Sequence, residues 1–408
     1  MRRFQGANIS MTSVIVIGGG IAGCSTAYAL AKRGVSVALI ERQSDVAQAG
    51  SGNPVAMLYP KLSAKPDAAC LLGIAAFRFT LDLLHELDAE DRFHTCCGQL
   101  QLAFDTKSQT QHNTMEQQPY FQELPFAARF VDAEEASHIA GLHIAHGGLY
   151  LPDGGWVKPH DWCKALLAHP NIRALTDTAA LRIEQTESGW RVHGATQIFA
   201  AQHVILCNAF DAATLLPVLA PHLTPVRGQI NFALPTAASQ HIRAVVCAQH
   251  FISPAVDGRH TLGTTYANHD MTPDCTAQDT AAILHGLRQI SADLPESLTV
   301  NPQQGRVGWR CATEDYLPLL GPMLNLSALQ AKPPRPYAKP DTLPWLHGLH
   351  VNIGHGSKGM ITAPLCADWL ADAINGNTPA SPLFSRLQPN RFVMRELGLK
   401  HLSAHIYG

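Results

Sequence analysis

The stretch "SVIVIGGGIAGCSTAYALAKRGVSVALIE", residues 13–41, contains a strand, a glycine-rich turn, a helix and a second strand in immediate succession. Residues 13–17 are apolar and β-rich, which is typical of a buried parallel strand. The helix carries small and apolar residues at helical spacing, and Gly34 ends it. The second strand closes on Glu41. This order predicts a compact βαβ unit.

A GxGxxG pattern, formed by Gly18, Gly20 and Gly23, lies where the first strand meets the helix. The first glycine permits a tight turn, the second lets the backbone approach a pyrophosphate, and the third packs helix on strand. The helix N-terminus adds N–H groups and partial positive charge. The pattern predicts a dinucleotide site that includes Gly19, with a purely structural glycine turn as the alternative.

Glu41 narrows the choice of nucleotide. Its carboxylate can accept hydrogen bonds from ribose hydroxyls and would repel a 2′-phosphate, so NAD and FAD fit and NADP does not. A second loop, "GHGSKGMITAP" at residues 354–364, precedes a helical pattern. A helix N-terminus there, with Lys358, would stabilise the negative charge of a reduced flavin. The two loops together predict FAD, although an ordinary helix cap with an exposed lysine would explain the second loop alone.

Composition sets the broad class. A chain of 408 residues with 46% hydrophobic and 15% charged residues predicts an ordinary globular protein of two lobes. The formal charge of −2 gives no gross sign of nucleic-acid binding, so any basic patch must be local. Ten cysteines without a CxxC pair predict reduced thiols, a cytoplasmic protein and no metal site.

The N-terminal region shows no targeting signal. "MRRFQGANISM" lacks an apolar core, so we expect no signal peptide, and either Met1 or Met11 could be the start. The apolar run 14–31 contains the glycine pattern and is interpreted as strand and buried helix, not as a membrane span. About ten residues precede the first strand.

The pattern along the chain predicts a mixed α/β protein, a Rossmann-like FAD-binding domain with an inserted antiparallel-sheet substrate domain. A Gln-rich polar stretch, residues 106–118, is interpreted as an exposed excursion, and residues 330–340 as a Pro-rich basic loop. The predicted limits are 12–88, 145–228 and 305–385 for the FAD-binding domain, 89–144 and 229–304 for the substrate domain, and 386–408 for a C-terminal tail.

Several blocks resemble a known family. The first loop, "GGWVKP", "VRGQI", "RVGWRCATEDYLPLLGP" and "GHGSKGMITAPL" are together similar to the glycine oxidase/D-amino-acid oxidase (DAO) family of FAD-dependent flavoproteins, in order and spacing through nearly the whole chain. More narrowly, "SGNPVAMLYPKLS" and "FSRLQPNRFVMREL" resemble bacterial members that modify the tRNA wobble uridine. At Ala209 the chain departs from the family, which usually has glycine there.

The resemblance implies an oxidoreductase that acts on a CH–NH group in tRNA. The expected reaction oxidatively removes the carboxymethyl group of 5-carboxymethylaminomethyl-(2-thio)uridine and leaves 5-aminomethyl-(2-thio)uridine and glyoxylate. In bifunctional relatives a methyltransferase domain precedes the oxidase. The few residues before the first strand lead us to expect none in this chain, so a separate methyltransferase partner is implied.

The resemblance also assigns substrate residues. Arg310, in "GWRCAT", matches the family's carboxylate-binding arginine, whose guanidinium can hold a carboxylate by two parallel hydrogen bonds. A structural ion pair with Glu314 or Asp315 is the alternative. Tyr266 is a weaker candidate for a second substrate contact, and Lys358 completes the expected catalytic set.

Further cofactor contacts are expected along the first half of the chain. Residues 51–53 follow the ribose-binding strand and should lie along the pyrophosphate and flavin, whereas Ala180 matches a family position that contacts adenine through its backbone. A simple Ser/Gly/Asn turn is the alternative for 51–53. The predicted set, beyond the first glycines, is Glu41, Arg42, Ser51, Gly52, Asn53, Leu58, Ala180, Gly356, Ser357, Lys358 and Gly359.

Two other functions stay open at this point. A small-molecule oxidase of glycine, sarcosine or a D-amino acid would share the fold, the FAD and Arg310, and a non-catalytic flavin-containing tRNA-binding factor belongs to another class. Specific tRNA binding uses Lys and Arg contacts to phosphates. The candidates, each with a solvated basic surface as the alternative, are Lys332, Arg335, Lys339, Arg386, Arg391, Arg395 and Lys400.

Overall fold

The computed structural model describes residues 11–335, 338–377, 379 and 381–399 and shows a mixed α/β protein, as predicted. Two compact units divide the chain. The first unit consists of Met1–Ser51, Cys163–Thr224 and Arg310–Gly408, and the second unit of Gly52–Trp162 and Pro225–Trp309. Lys400 lies outside the described residues.

The strands, numbered along the chain, supply both units. They are β1 (Met11–Ile17), β2 (Val37–Ile40), β3 (Ala56–Leu58), β4 (His94–Thr95), β5 (Gln99–Leu102), β6 (Arg129–Val131), β7 (Gly148–Leu151), β8 (Gly155–Val157), β9 (Ile172–Leu175), β10 (Arg182–Thr186), β11 (Gly189–His193), β12 (Ile198–Leu206), β13 (Thr224–Ala233), β14 (Val245–Cys247), β15 (Phe251–Ile252), β16 (His260–Gly263), β17 (Ala267–Asn268), β18 (Gly305–Ala312), β19 (Leu319–Leu324) and β20 (Trp345–Ile353).

The α-helices range from single turns to twenty residues. They are α1 (Ile21–Lys32), α2 (Ala68–Leu87), α3 (Thr106–Glu116), α4 (Pro119–Gln122), α5 (Ala133–Ala140), α6 (Pro159–Leu167), α7 (Ala212–Leu215), α8 (Ala277–Leu287), α9 (Leu294–Ser297), α10 (Leu326–Ala331), α11 (Gly359–Ile374), α12 (Leu383–Arg386) and α13 (Arg391–Glu396). Short 3-10 turns cover Ala209–Asp211, Pro217–His222, Pro340–Thr342 and Gly356–Lys358.

The first unit is built on a mostly parallel sheet. Its parallel strands lie in the order β9, β2, β1, β12 and β20. The hairpin β10–β11 and strand β19 add antiparallel pairs to β12 and β20. The apolar residues 14–17 and 37–40 are all buried, which explains their continuous hydrophobic sequence.

Helix α1 packs on the sheet and on helix α11. Nearly all of its residues are buried, as its small side chains require for close packing. At its C-terminal end Arg33 donates to Asp368 at 2.8 Å and to Asp372 at 2.9–3.0 Å, both on α11. These charge-assisted bonds fix the two helices side by side, although they lie more than 300 residues apart in sequence.

The second unit has a largely antiparallel sheet, as predicted for the inserted region. The strand order is β17, β13, β16, β15, β14, β5, β7 and β6, with β18 also paired to β13. Strands β5 and β14 pair in parallel, whereas the pairs on either side of them are antiparallel. A smaller sheet contains β3, β8 and β4.

The division into units differs from the predicted domain limits. Residues 52–88 and 145–162, which we predicted in the FAD-binding domain, lie in the second unit, because β3 and β4 both pair with β8. Residues 386–399 of the predicted tail lie in the first unit. The predicted domain limits themselves stay a prediction.

The polar stretch that we interpreted as an exposed excursion contains a helix. Residues 106–116 form helix α3, and most of them are exposed. Asp105 and Ser108 form a capping box, in which each side chain bonds the other residue's backbone N–H. Polar composition without hydrophobic periodicity hid this helix, since local caps rather than an apolar face define it.

Among the described helices, α2 alone has the length and apolar composition of a membrane span. Half of that segment is buried inside the protein, as in an ordinary core helix.

The turn after β12 contains an alanine in a backbone conformation that favours glycine. Ala209 has φ 53°, in the left-handed region that glycine adopts at little cost and other residues adopt with strain.

We expect Ala209→Gly to raise the free energy of unfolding by roughly 0.5–1 kcal/mol, because it removes this strain. Urea unfolding measures the change. Ala282→Gly, at an exposed position within α8, is the matched control and should lower the value by about 1 kcal/mol. If Ala209→Gly lowered the free energy of unfolding as much as the control does, Ala209 would not be strained.

Candidate cofactor site

The site lies at the carboxyl edge of the parallel sheet in the first unit. The register aligns Ile17 with Ile40 on one side and with Leu206 on the other, and Leu206 with Val351 on the next strand. The residues that follow these strands therefore emerge at one edge, where open α/β sheets bind ligands. They include Gly18, Glu41, Asn208 and the second glycine loop.

The first loop turns sharply at Gly18, whose φ is 110°. A Cβ at this position would lie 2.9 Å from the Asn208 backbone, so the contact excludes a side chain. The Gly19 N–H donates to Glu41 Oε2 at 2.6 Å, and Glu41 Oε1 accepts from the Gln43 N–H at 2.8 Å. These bonds fix the carboxylate beside the loop while each oxygen keeps a lone pair for a ribose hydroxyl.

The start of α1 depends on two further contacts. A Cβ at Gly23 would overlap the carbonyl oxygen of Gly18, so the helix can approach the loop this closely only with glycine. Ser51 Oγ accepts the Ile21 N–H at 3.0 Å and thus caps the helix. The other first-turn N–H groups have no intrahelical acceptor by helix geometry, which makes this end suited to a phosphate.

The second loop brings another helix start to the same place. Gly356 has φ 55°, and the 3-10 turn Gly356–Lys358 leads directly into α11. A Cβ at Gly359 would lie 3.5 Å from Ile21 Cγ2 on α1. The N-termini of α1 and α11 are therefore neighbours, and their partial positive charges reinforce each other.

A buried polar network, which the sequence did not reveal, joins the two loops. Asn352 Nδ2 donates to Thr26 Oγ1 at 3.0 Å, linking β20 to α1. Asn352 Oδ1 lies 2.9 Å from His355 Nε2, and His355 Nδ1 lies 2.9 Å from Thr362 Oγ1 on α11. Because an amide oxygen only accepts, Nε2 carries the proton and donates to it, while Nδ1 accepts from the Thr362 hydroxyl.

Burial keeps this histidine neutral. The surrounding protein lowers the pKa of His355 to about 3, because a charged imidazole would lose its hydration there. The neutral ring satisfies both neighbours without placing a cation in the core. Asn352 and His355 belong to the stretch "VNIGHGSKG". These two polar residues beside the glycines were the sequence feature that could have indicated the network.

The arrangement fits FAD. The first loop forms a cradle that a Cβ at Gly18 or Gly23 would fill, and Glu41 is placed for ribose hydroxyls. The paired helix starts offer N–H groups to anionic parts of a cofactor. Gly18, Gly19, Gly20, Gly23, Glu41, Ser51, Gly356, Ser357, Lys358 and Gly359 all belong to the first unit.

Other predicted cofactor contacts have defined surroundings. Arg42 pairs with Asp211 at 2.8 Å. Ala180 lies two residues after Thr178, whose backbone N–H donates to the Glu41 carbonyl at 2.9 Å. This bond places the segment before Ala180 beside Glu41. In the second unit, Asn53 Oδ1 accepts from the Arg306 guanidinium at 2.8 Å, a partner that the sequence did not indicate. Gly52 precedes this asparagine.

Two predicted residues of the second unit differ in exposure. Leu58 is 1% exposed and lies in β3, so its side chain presents little surface to a ligand. Tyr266 is 62% exposed. The roles assigned to both residues stay predictions.

Arg310 lies in β18, and the carboxylates considered as its structural partners bind other arginines. Asp315 accepts from Arg391 at 2.7 and 2.8 Å, and Glu314 accepts from Arg395 at 3.1 Å. Asp315 and Glu314 thus each have an arginine partner, and the role of Arg310 stays a prediction. The bonds to Asp315 also hold Arg391, whose side chain is 11% exposed, away from any role as a free phosphate ligand.

The thiols near the site are inert. The structure records the ten cysteines, all within the described residues, as free. Burial raises the pKa of Cys207 to about 12, and it raises the pKa of Cys24 well above its ordinary value. These side chains therefore act as small apolar groups beneath the loop.

Comparison with known proteins adds an independent finding. The DAO family, described as FAD dependent oxidoreductase, matches residues 13–373. The protein "tRNA 5-methylaminomethyl-2-thiouridine biosynthesis bifunctional protein MnmC" of Methylobacillus flagellatus is 40% identical over 95% of this chain and 60% of its own length. The protein of the same name from Stutzerimonas stutzeri is 38% identical over 96% and 61%. The chain thus spans about three fifths of these relatives.

Solved structures show the same fold. Glycine oxidase from Geobacillus kaustophilus superposes with a TM-score of 0.75 at 22% identity, over 93% of this chain and 99% of that chain. L-proline dehydrogenase from P. horikoshii superposes with a TM-score of 0.73 at 18% identity, over 95% and 99%.

We expect Gly23→Ala to weaken FAD binding, because overpacking of this contact costs roughly 1–3 kcal/mol, equivalent to about 5- to 150-fold in affinity. Absorbance near the flavin band, per mole of purified chain, measures occupancy. Gly73→Ala is the matched control, since Gly73 also lies within a helix but its added Cβ would meet atoms no nearer than 3.9 Å. Full flavin content in folded Gly23→Ala protein would refute the cradle.

The neutral His355 predicts a pH dependence of stability. Its folded pKa of about 3 lies below the ordinary value of about 6.5, so the unfolded chain takes up a proton first as the pH falls. Acidification from above about pH 6.5 to pH 5 should therefore lower the free energy of unfolding by on the order of 2 kcal/mol through this group. Urea unfolding above pH 6.5 and at pH 5 should show a smaller decrease in the free energy of unfolding for His355→Gln than for the parent protein.

His143→Gln removes an exposed histidine of the second unit and is the control for that comparison. Its pH dependence should match that of the parent. If the free energy of unfolding falls equally with pH in His355→Gln and in the parent, His355 is not held neutral.

Proposed function

Because the chain belongs to the family of FAD-dependent oxidoreductases, we propose that it acts on tRNA and oxidatively removes the carboxymethyl group of 5-carboxymethylaminomethyl-(2-thio)uridine at the wobble position. The observation that carries this proposal is the similarity of 95–96% of the chain to tRNA-modifying relatives at 38–40% identity. The two glycine loops and the network between them support the cofactor part.

The proposed reaction is an amine oxidation followed by hydrolysis. Bound FAD supplies a two-electron acceptor for the hydride that leaves the glycine-derived α-carbon. The nitrogen loses its proton, and the C–N single bond becomes an imine. Water then adds to the imine carbon, the C–N bond breaks, and glyoxylate and 5-aminomethyl-(2-thio)uridine are released. Oxygen or another acceptor takes the electrons afterwards.

The chain's own residues bind the cofactor and orient the substrate. Glu41 accepts hydrogen bonds from ribose, and the start of α1 binds the pyrophosphate. The start of α11, with Lys358, stabilises negative charge on the reduced cofactor. Arg310, in the first unit, holds the substrate carboxylate through two parallel hydrogen bonds.

The tRNA is bound through local basic residues, because the chain as a whole carries a charge of only −2. Lys332, Arg335 and Lys339 are exposed in the Pro-rich segment, and Arg386 is exposed after α11. Arg395 is half exposed and pairs with Glu314. A methyltransferase would act next on the aminomethyl product, and a tRNA substrate supports a cytoplasmic location for these steps.

The proposed reaction has a direct test. The purified protein with bound FAD should convert tRNA that carries the carboxymethylaminomethyl group to aminomethyl-uridine, with one glyoxylate per nucleoside. Nucleoside mass spectrometry and a glyoxylate assay measure both products. Rapid flavin bleaching by free glycine or sarcosine, with tRNA unchanged, would instead identify an amino-acid oxidase. Binding of the tRNA without any turnover would identify a non-catalytic factor.

For the carboxylate contact we expect Arg310→Lys to lower kcat/KM for the tRNA substrate by roughly 10- to 100-fold, because lysine keeps the charge but loses one of two hydrogen bonds. Flavin content should not change. Arg288→Lys, at an exposed ion pair with Glu296, is the matched control and should leave kcat/KM unchanged. Equal kinetics for both variants would remove Arg310 from the substrate site.

A further inference from the structure

A cluster of potential metal ligands lies in the second unit, remote in sequence from both glycine loops. One ligand atom each from His85, His94 and Cys96 lies within 4.8 Å of the others. His85 belongs to the last turn of α2, whereas His94 begins β4 and Cys96 follows that strand. The spacing is H-x8-H-x-C, which lacks the CxxC pair on which the prediction of no metal rested.

The orientation of His94 is fixed by a buried carboxylate. Asp88 and His94 are both completely buried, and Asp88 Oδ2 lies 2.9 Å from His94 Nδ1. The same carboxylate accepts the backbone N–H groups of Arg92, Phe93 and His94 at 2.8–3.1 Å. Such a carboxylate is an acceptor, so Nδ1 carries a proton and donates to Asp88, and Nε2 is the ring nitrogen available to a ligand.

The opposite ring nitrogen has no hydrogen-bond partner. His94 Nε2 is buried and unpaired, which is costly for a polar atom. It faces Asp91 Oδ1 at 3.5 Å. A metal ion bound to Nε2 would supply the partner that this buried nitrogen lacks.

We propose that His85, His94 and Cys96 bind a divalent transition-metal ion, with water as the remaining ligand. Imidazole and thiolate together match zinc best, since zinc accepts both in tetrahedral geometry. The Asp88–His94 pair is then the carboxylate–histidine arrangement that orients metal-binding histidines in other proteins.

The ion would join the end of a long core helix to a short strand. His94 and Thr95 pair with β8, and β8 also pairs with β3. Binding would therefore close the segment between His85 and Cys96 and stabilise this small sheet, independently of the cofactor and of the proposed reaction.

The test uses the intact FAD-loaded protein, stripped of metal with a chelator and titrated with Co²⁺ or Zn²⁺ alone. We expect one Co²⁺ per chain with the thiolate charge-transfer and visible bands of a tetrahedral site, and a rise in Tm on addition of Zn²⁺. Cys96→Ser should remove the thiolate band and weaken affinity by at least about tenfold, and His85→Ala should weaken it similarly.

Cys97→Ser is the matched control, because this neighbouring thiol donates to the Gly98 carbonyl at 3.7 Å and is not among the proposed ligands. Its metal affinity and spectrum should equal those of the parent. Flavin content and circular dichroism check that each variant folds. Absence of a tetrahedral Co²⁺ spectrum in the parent, or equal binding by Cys96→Ser, His85→Ala and Cys97→Ser, would overturn the proposal.

Discussion

The close packing of α1 against the Gly18 turn, and of α11 against α1, is the constraint on which the cofactor site depends. Glycine at position 23 lets α1 begin almost on top of the preceding loop. Thr26, three residues later, then receives the Asn352 amide from β20. Through His355 the same network reaches Thr362 on α11. A single buried chain of hydrogen bonds thus positions two helix starts that are encoded more than 300 residues apart.

This constraint also explains the order of the chain. Because β1, β2, β12 and β20 are parallel and in register, every loop that follows them emerges at the same sheet edge. The second unit can therefore be inserted between these segments without displacing the loops from one another.

Local patterns predicted much of this architecture. The βαβ unit, the role of Gly18 and Gly23, and the helix after the second loop follow from short-range sequence rules, because glycine placement and apolar runs act within a few residues. The network of Thr26, Asn352 and His355 could not be predicted, since its members meet only through the sheet register. The same holds for Asn208 beneath Gly18 and for Arg306 beside Asn53. Helix α3 was missed because its caps, not an apolar face, define it.

The paired starts of α1 and α11 are expected to hold opposite parts of one FAD molecule. A crystal structure of the protein with FAD bound would show where each part of the cofactor lies. We expect the pyrophosphate at the first turn of α1, the ribose hydroxyls at Glu41, and the flavin ring beside the start of α11. Density for the flavin ring away from residues 356–359, or a pyrophosphate bound elsewhere than the first glycine loop, would contradict it.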